Sequence, residues 1–445
     1  MPTSPPEPRA VCLGESMIVL VPDQVGPLED SAVFHRSAGG AESNVAGTLA
    51  GLGIATSWLS RLGADGFGRY VLADIAARGV DVSGVELDPL RPTGLYVKER
   101  AAPAAGSGLD TEQAGESGGT DSGGTDSGGG RRADGDGAAD GPDGVGPDRD
   151  GADTVGPDTA GPDTVGPDGV GPAADASAGD GADGPDADGP DADGPGADGR
   201  GANRRSGAGQ GDVTRRRMHY YRSGSAASVM SPALLAGGPQ RELLAAADLV
   251  HVTGITAGIS DSAAELLFTL LRRPRTDTLV SFDLNWRPIL WHDRDPATLT
   301  RLCALADIVL LGSDEAEAVL GAAEPARLRE ILPEPRTLVV KNDAHDAVAV
   351  DRDGAQTTVQ ALRVDVVDTV GAGDGFAAGY LAATLRGLPP RQSLRLGHLC
   401  AALALTVAGD HGPPPPPESV DALLTCTDQQ WASIVVGADG LRTSP

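Results

Sequence analysis

Short runs of consecutive apolar residues recur along this chain, each followed by a stretch in which apolar positions fall three and four apart. Residues 11–13, 56–60, 249–253, 278–284, 308–311 and 337–340 carry the first pattern and predict buried strands. Residues 44–52, 68–78, 260–272 and 296–305 carry the second and predict helices between them. Strands that are apolar throughout, alternating with helices, predict an α/β fold with a mostly parallel sheet covered on both faces. Ligands of such sheets bind beyond the carboxyl ends of the strands. Gly14-Glu15, Gly254 and the run Asn285 to Arg287 are expected there.

Two segments depart from this texture. Residues 92–100 and 217–223 are short and extended, and predict two antiparallel strands of a small β appendage. Between them, residues 101–213 are Gly, Asp, Ala, Pro and Ser in imperfect repeats, with no aromatic residue. A segment with so little to bury does not offset the entropy of ordering it, so disorder is expected. A surface hairpin tolerates such an insert, because closure cost rises only with the logarithm of loop length. The expected organisation is one domain over residues 9–100 and 215–430, with appendage strands at about 92–100 and 215–223. A Pro-rich spacer (413–417) precedes a last helix (418–426), and residues 431–445 are expected to be a tail.

The insert carries most of the formal net charge of −28. The acidic balance argues against a nucleic-acid partner but says little about the ordered part. Four separated cysteines (Cys12, Cys303, Cys400, Cys426) show no metal-ligand spacing and fit a reducing compartment. No run reaches the ~18 apolar residues of a membrane span, and the first residues lack a signal-peptide core. A cytoplasmic protein without a membrane partner is expected.

The chemistry is concentrated in Asp368-Thr369-Val370-Gly371-Ala372-Gly373-Asp374-Gly375-Phe376. A β-rich apolar segment (364–367) is expected to enter it and an Ala-rich helix to leave it. Glycines at such a junction expose bare N–H groups at a helix N-terminus, a ready anion site. Asp374 has the wrong charge for a passive phosphate cradle. It suits a base that takes a proton from an attacking hydroxyl while the N–H groups hold the migrating phosphoryl. An ordinary strand–turn–helix junction with an aspartate cap accounts for the motif equally well when it is taken alone.

Other residue sets point the same way. Gly39-Gly40-Ala41-Glu42-Ser43-Asn44-Val45-Ala46, then Leu52-Gly53, Gly63-Ala64-Asp65-Gly66-Phe67-Gly68 and the C-terminal DTVGAGD together resemble the ribokinase-like (PfkB) carbohydrate kinases. The resemblance spans nearly everything but the insert. There is no GxxxxGK[ST], and the two lysines, Lys98 and Lys341, do not follow glycine, which excludes a P-loop. The resemblance implies a ribokinase-like sheet flanked by helices with a small β-sheet lid. It also implies ATP-dependent transfer of the γ-phosphoryl to a sugar hydroxyl with Mg²⁺, and admits a monovalent cation and a homo-oligomer. Carried over, Asp374 is the base, Gly371, Ala372 and Gly373 supply the anion hole, and Gly39, Gly40 and Asn44 bind sugar hydroxyls.

Residues Tyr220 to Ser228 and Phe282 to Trp291 look like the 2-keto-3-deoxygluconate kinase branch, which forms the 6-phosphate of that sugar acid. The resemblance assigns Tyr96, Tyr220, Arg222 and Arg287 to the substrate, with Ile255 and Asp410 lining its pocket. Guanidinium forks suit a carboxylate better than a neutral sugar. If the arginines are solvated edge charges or a helix cap, the alternative is a fructokinase or ribokinase type acting on a neutral sugar. Two departures stand out. Gly312 replaces the asparagine of the NxxE metal element, leaving Glu315 to act on a metal through water. In the nucleotide-side KxGxxG element Lys341 is kept, but Asp343 and Asp346 replace both glycines. These departures leave room for a catalytically silent sugar- or nucleotide-binding protein.

Overall fold

The computed structural model describes residues 7–100 and 216–443; the expectation of disorder for 101–213 falls outside them. The chain opens with β1 (Arg9–Leu13), β2 (Met17–Pro22), β3 (Phe34–Gly39), α1 (Ala41–Gly51), β4 (Ala55–Gly63), α2 (Gly66–Ala77), β5 (Val85–Asp88) and β6 (Leu95–Arg100). It resumes with β7 (Arg216–Tyr221), α3 (Gly238–Ala245), β8 (Leu249–Thr253), α4 (Gly254–Ile259), α5 (Asp261–Leu271) and β9 (Leu279–Asp283). Then come α6 (Pro288–Trp291), α7 (Ala297–Cys303), β10 (Ile308–Gly312), α8 (Ser313–Leu320), α9 (Pro325–Ile331) and the meander β11 (Thr337–Asn342), β12 (Asp346–Asp351), β13 (Gln356–Gln360). The last part holds β14 (Arg363–Val364), α10 (Ala372–Leu385), α11 (Pro390–Leu405), α12 (Pro417–Thr425), α13 (Asp428–Ser433), β15 (Ile434–Gly437) and β16 (Gly440–Thr443).

Nine strands form the central sheet in the order β13-β12-β11-β10-β9-β8-β1-β4-β5. From β11 to β5 every pairing is parallel, and β12 and β13 close one edge antiparallel. Period-two alternation sends Ala10, Cys12, Leu249, Leu310 and Val339 to the face under α1, α10 and α11. Val11, Leu13, Val250, Leu311 and Val340 go to the face under α5 and α7. Both faces are buried, which is why the strands read as unbroken apolar runs. The order reverses at β1, between β4 and β8, and this switch point is where an open α/β sheet offers a crevice.

A separate four-stranded sheet, β3-β2-β6-β7, forms the expected small β layer. Its approach is fixed by Asp65, whose carboxylate accepts from Gly68 N (2.7 Å) at the start of α2 and from Thr93 N (2.8 Å) just before β6.

Two expectations are corrected at the C-terminal end. The tail expected at 431–445 is folded over residues 431–443, where α13 ends and β15 and β16 join β14 in a three-stranded sheet. Trp431, Ile434 and Val436 are buried, and Trp431 Nε1 donates to the Gln360 carbonyl at 2.8 Å. The β-rich segment expected at 364–367 is not a strand throughout. Only Arg363–Val364 is extended, against β15, and Val366 and Val367 are exposed. Asp365 N bonds to Val436 O (2.9 Å) and Val367 N to Leu405 O (2.8 Å), so the hairpin and α11 hold this segment.

Candidate active site

At the switch point a cleft of about 390 Å³ opens between the central sheet, the small sheet and α10. α10 begins where it does because Gly371 turns the chain with φ +84°, a left-handed conformation that favours glycine. A β-carbon there would stand 1.9 Å from the Asp410 carbonyl oxygen. Ala372, Gly373 and Asp374 form the first turn of the helix, whose N–H groups have no carbonyl partner within it. Asp374 lines the cleft and its Oδ2 accepts from Asn44 Nδ2 at 2.9 Å. Burial pushes its carboxyl up to about 7. The Asp283 charge acts in the same sense, while Asn44, Arg287 and Lys341 pull it back. A carboxylate with that affinity for protons is suited to proton abstraction near neutral pH.

Asn44 is placed by α1, whose N-terminus is pinned by Glu42. The Glu42 carboxylate is fully buried and accepts from Thr253 Oγ1 (2.8 Å) and Thr256 Oγ1 (2.6 Å), joining α1 to β8 and α4. Gly39 is required by crowding: a β-carbon there would meet Asp410 Oδ2 at 2.4 Å and Tyr96 Oη at 2.7 Å. Tyr96 Oη donates to Asp410 Oδ2 at 2.5 Å. Tyr220 pairs across from Tyr96 on β7, ring centroids 5.3 Å apart, and the Arg222 guanidinium lies 4.8 Å from the Tyr220 ring centroid.

Arg222 is not a solvated edge charge, and Arg287, half-exposed, is not a helix C-cap. Arg222 is largely buried and its Nη1 lies 3.3 Å from Glu15 Oε2. Arg287 stands just before α6, at a helix start, with Nη1 3.6 Å from Glu315 Oε1. Lys341, from the end of β11, donates to both oxygens of Asp283 (2.9 and 3.1 Å). Burial alone would lower its affinity for the proton, but Asp283 and Glu315 more than offset this and raise it.

A model described as pfkB family carbohydrate kinase matches residues 7–105 and 209–416. The chain belongs to the pfkB family of carbohydrate kinases. The enzyme is thus a phosphotransferase with a hydroxyl acceptor. This pfkB kinase is 28% identical over 421 residues to the 2-dehydro-3-deoxygluconokinase of Thermoproteus tenax, covering 93% of each chain. It is 25% identical over 428 residues to the enzyme of that name from Bacillus subtilis, covering 94% of this chain and 95% of the other. A fructokinase with bound ATP from Xylella fastidiosa shares the fold, with a TM-score of 0.59 at 21% identity over 93% of this chain and 97% of that one.

The structure of the pfkB kinase brings the expected site residues to one cleft, from Gly39, Gly40, Asn44 and Ile255 to Arg287, Glu315, Lys341 and Asp410. Ala372 and Asp343 do not line it: Ala372 belongs to the first turn of α10, beside the lining residues Gly371 and Gly373, whereas Asp343 lies apart. Asp343 sits at the exposed tip of the β11–β12 hairpin with φ +44°, because the pairing of Asn342 with Asp346 closes the hairpin around it. Gly312 leaves its N–H to the Glu315 carboxylate (3.1 Å), so Glu315 also caps α8. Residues not singled out as binding groups include Glu15, Asp283 and Asn285. The left-handed Asn285 (φ +36°) has a sequence signal, the DLN run that ends a predicted strand. Asp283 has none beyond lying in that run.

Proposed function

We propose that this pfkB kinase transfers the γ-phosphoryl of ATP to the 6-hydroxyl of 2-keto-3-deoxygluconate, also written 2-dehydro-3-deoxygluconate. One observation carries the reading: Asp374, held by Asn44, opens a helix in a cleft that also contains Arg222 and Arg287. The names of the two relatives and the ATP of the fructokinase neighbour support it.

In this reading Asp374 takes the proton of the hydroxyl as its oxygen bonds to the γ-phosphorus and the bond to the ADP oxygen breaks. The N–H groups of Gly371, Ala372 and Gly373 stabilise the charge on the migrating group. Lys341 reaches the same place, its Nζ 3.9 Å from where a β-carbon on Gly373 would stand. Among the described residues no cluster of three or more His, Cys, Asp or Glu side chains forms a metal cage. Mg²⁺ is commonly held by one or two carboxylates, water and substrate phosphates. Glu315, whose Oε1 faces Arg287 at 3.6 Å, would hold it through water. When bound, the ion neutralises phosphate charge.

A neutral sugar is the second reading, favoured by the fact that each guanidinium already faces a glutamate. A coupled ADP-release assay across 2-keto-3-deoxy acids, fructose and ribose decides between them. The expected outcome is a kcat/KM for 2-keto-3-deoxygluconate at least about 100-fold above either neutral sugar, the scale of discrimination a matched polar site provides. A higher value for fructose or ribose overturns the sugar-acid reading.

A further inference from the structure

Asp410 lies at the sugar end of the cleft and is an unexpected neighbour for an anionic substrate. It is buried, and its Oδ2 takes the Tyr96 hydroxyl, which brings a hydrogen bond but no charge. Its Oδ1 takes the ammonium of Lys98. Lys98 is buried as well, on β6 two residues beyond Tyr96, and its Nζ is also 3.9 Å from Asp368, at the start of the motif that leads into α10. The chain has 35 Lys and Arg residues, of which only Lys98 and Lys341 are lysines, and both are engaged at this cleft. A compact ammonium with three donors can serve two carboxylates from one buried stem, which a planar guanidinium fork does less readily.

At the sugar end Arg222 faces Glu15, and Lys98 faces Asp410 and, at 3.9 Å, Asp368. Without Lys98, Asp410 would be an unbalanced anion in a low-dielectric site where the substrate is bound. Such a charge repels an incoming carboxylate but not a neutral sugar of similar size.

We infer that Lys98 is a specificity-determining residue of this kinase: by neutralising Asp410 it makes the pocket tolerant of a negatively charged sugar. The residue acts through Asp410, so it is a positioning and charge-balancing group. The inference rests on the sugar-acid reading, and the test separates the two.

The test compares KM for 2-keto-3-deoxygluconate with KM, or the inhibition constant, of fructose in the full-length enzyme. The wild type comes first, and a wild type that prefers fructose removes the sugar-acid reading itself. Given a wild-type preference for the acid, Lys98→Met is expected to raise KM for the acid about 30-fold or more, the scale of an uncompensated buried charge. The fructose constant should move less than about threefold, so the acid-to-neutral preference falls at least about tenfold. Asp410→Asn keeps Lys98 and removes the anion. It should weaken both sugars by loss of an acceptor while leaving the preference for the acid intact or larger. Equal shifts for both sugars in Lys98→Met, or a preference for the acid that falls in Asp410→Asn, overturn the inference. The second variant decides the matter if Lys98→Met does not fold.

Discussion

Asp374 is the proposed base, and its environment makes quantitative demands. Its carboxyl is raised to about 7, so the ionised form that accepts a proton predominates only above that pH. We expect kcat/KM to fall about tenfold per pH unit below about 7, measured at saturating ATP. Asp374→Asn should lower kcat by about 10³-fold with little change in KM for the sugar, the magnitude of a lost general base. Asn44 donates to the ionised carboxylate, so Asn44→Ala should shift the acidic limb of the pH profile upward as well as lower kcat. An unmoved limb would show that the amide does not tune the base. Asp374 and Asn44 were legible because each sits in a glycine-bounded motif whose backbone conformation constrains the residue types around it. Asp283 and Lys98 were not. An aspartate at a strand end and a lone lysine in a short strand carry no local pattern, and their partners, Lys341 and Asp410, lie 58 and 312 residues away.

Among the elements, α10 and the loop before it have a support that local patterns did not reveal. The loop is held by β15 through Asp365 and by the end of α11 through Val367. The C-terminal segment is in turn anchored by Arg395 of α11. Its guanidinium donates to the carbonyls of Leu424 (3.0 Å) and Cys426 (2.6 Å) and lies 5.0 Å from the Trp431 ring. Trp431→Ala should therefore destabilise the protein by about 3–5 kcal/mol, read from urea or thermal denaturation, as expected for a large aromatic removed from a packed site. The central strands and the longer helices were legible from hydrophobic period alone. The final hairpin was not, since residues 434–437 are too short and too isolated to separate from a loop without the β14 partner that pairs with them.

For the whole molecule, the small sheet matters because it covers the cleft and also bounds the long acidic segment. Arg100 and Arg216 pair at the ends of β6 and β7, so the chain leaves and re-enters the sheet at neighbouring points. Replacing residues 101–215 with a short turn should leave kcat/KM within about twofold of the full chain, because closure of that hairpin depends only weakly on the length between its ends. A larger loss would assign the segment a part in catalysis. The fold class followed from the sequence because an alternation of apolar runs and helical stripes is a local property that admits few layered solutions. The catalytic motif followed because glycine and aspartate at a helix start restrict what the backbone there can do. Only the tertiary structure decided the charge state of the cleft. Which carboxylate faces which cation depends on strand order and crossing loops that bring distant residues within a few ångströms, where in a low-dielectric crevice charges act on one another strongly.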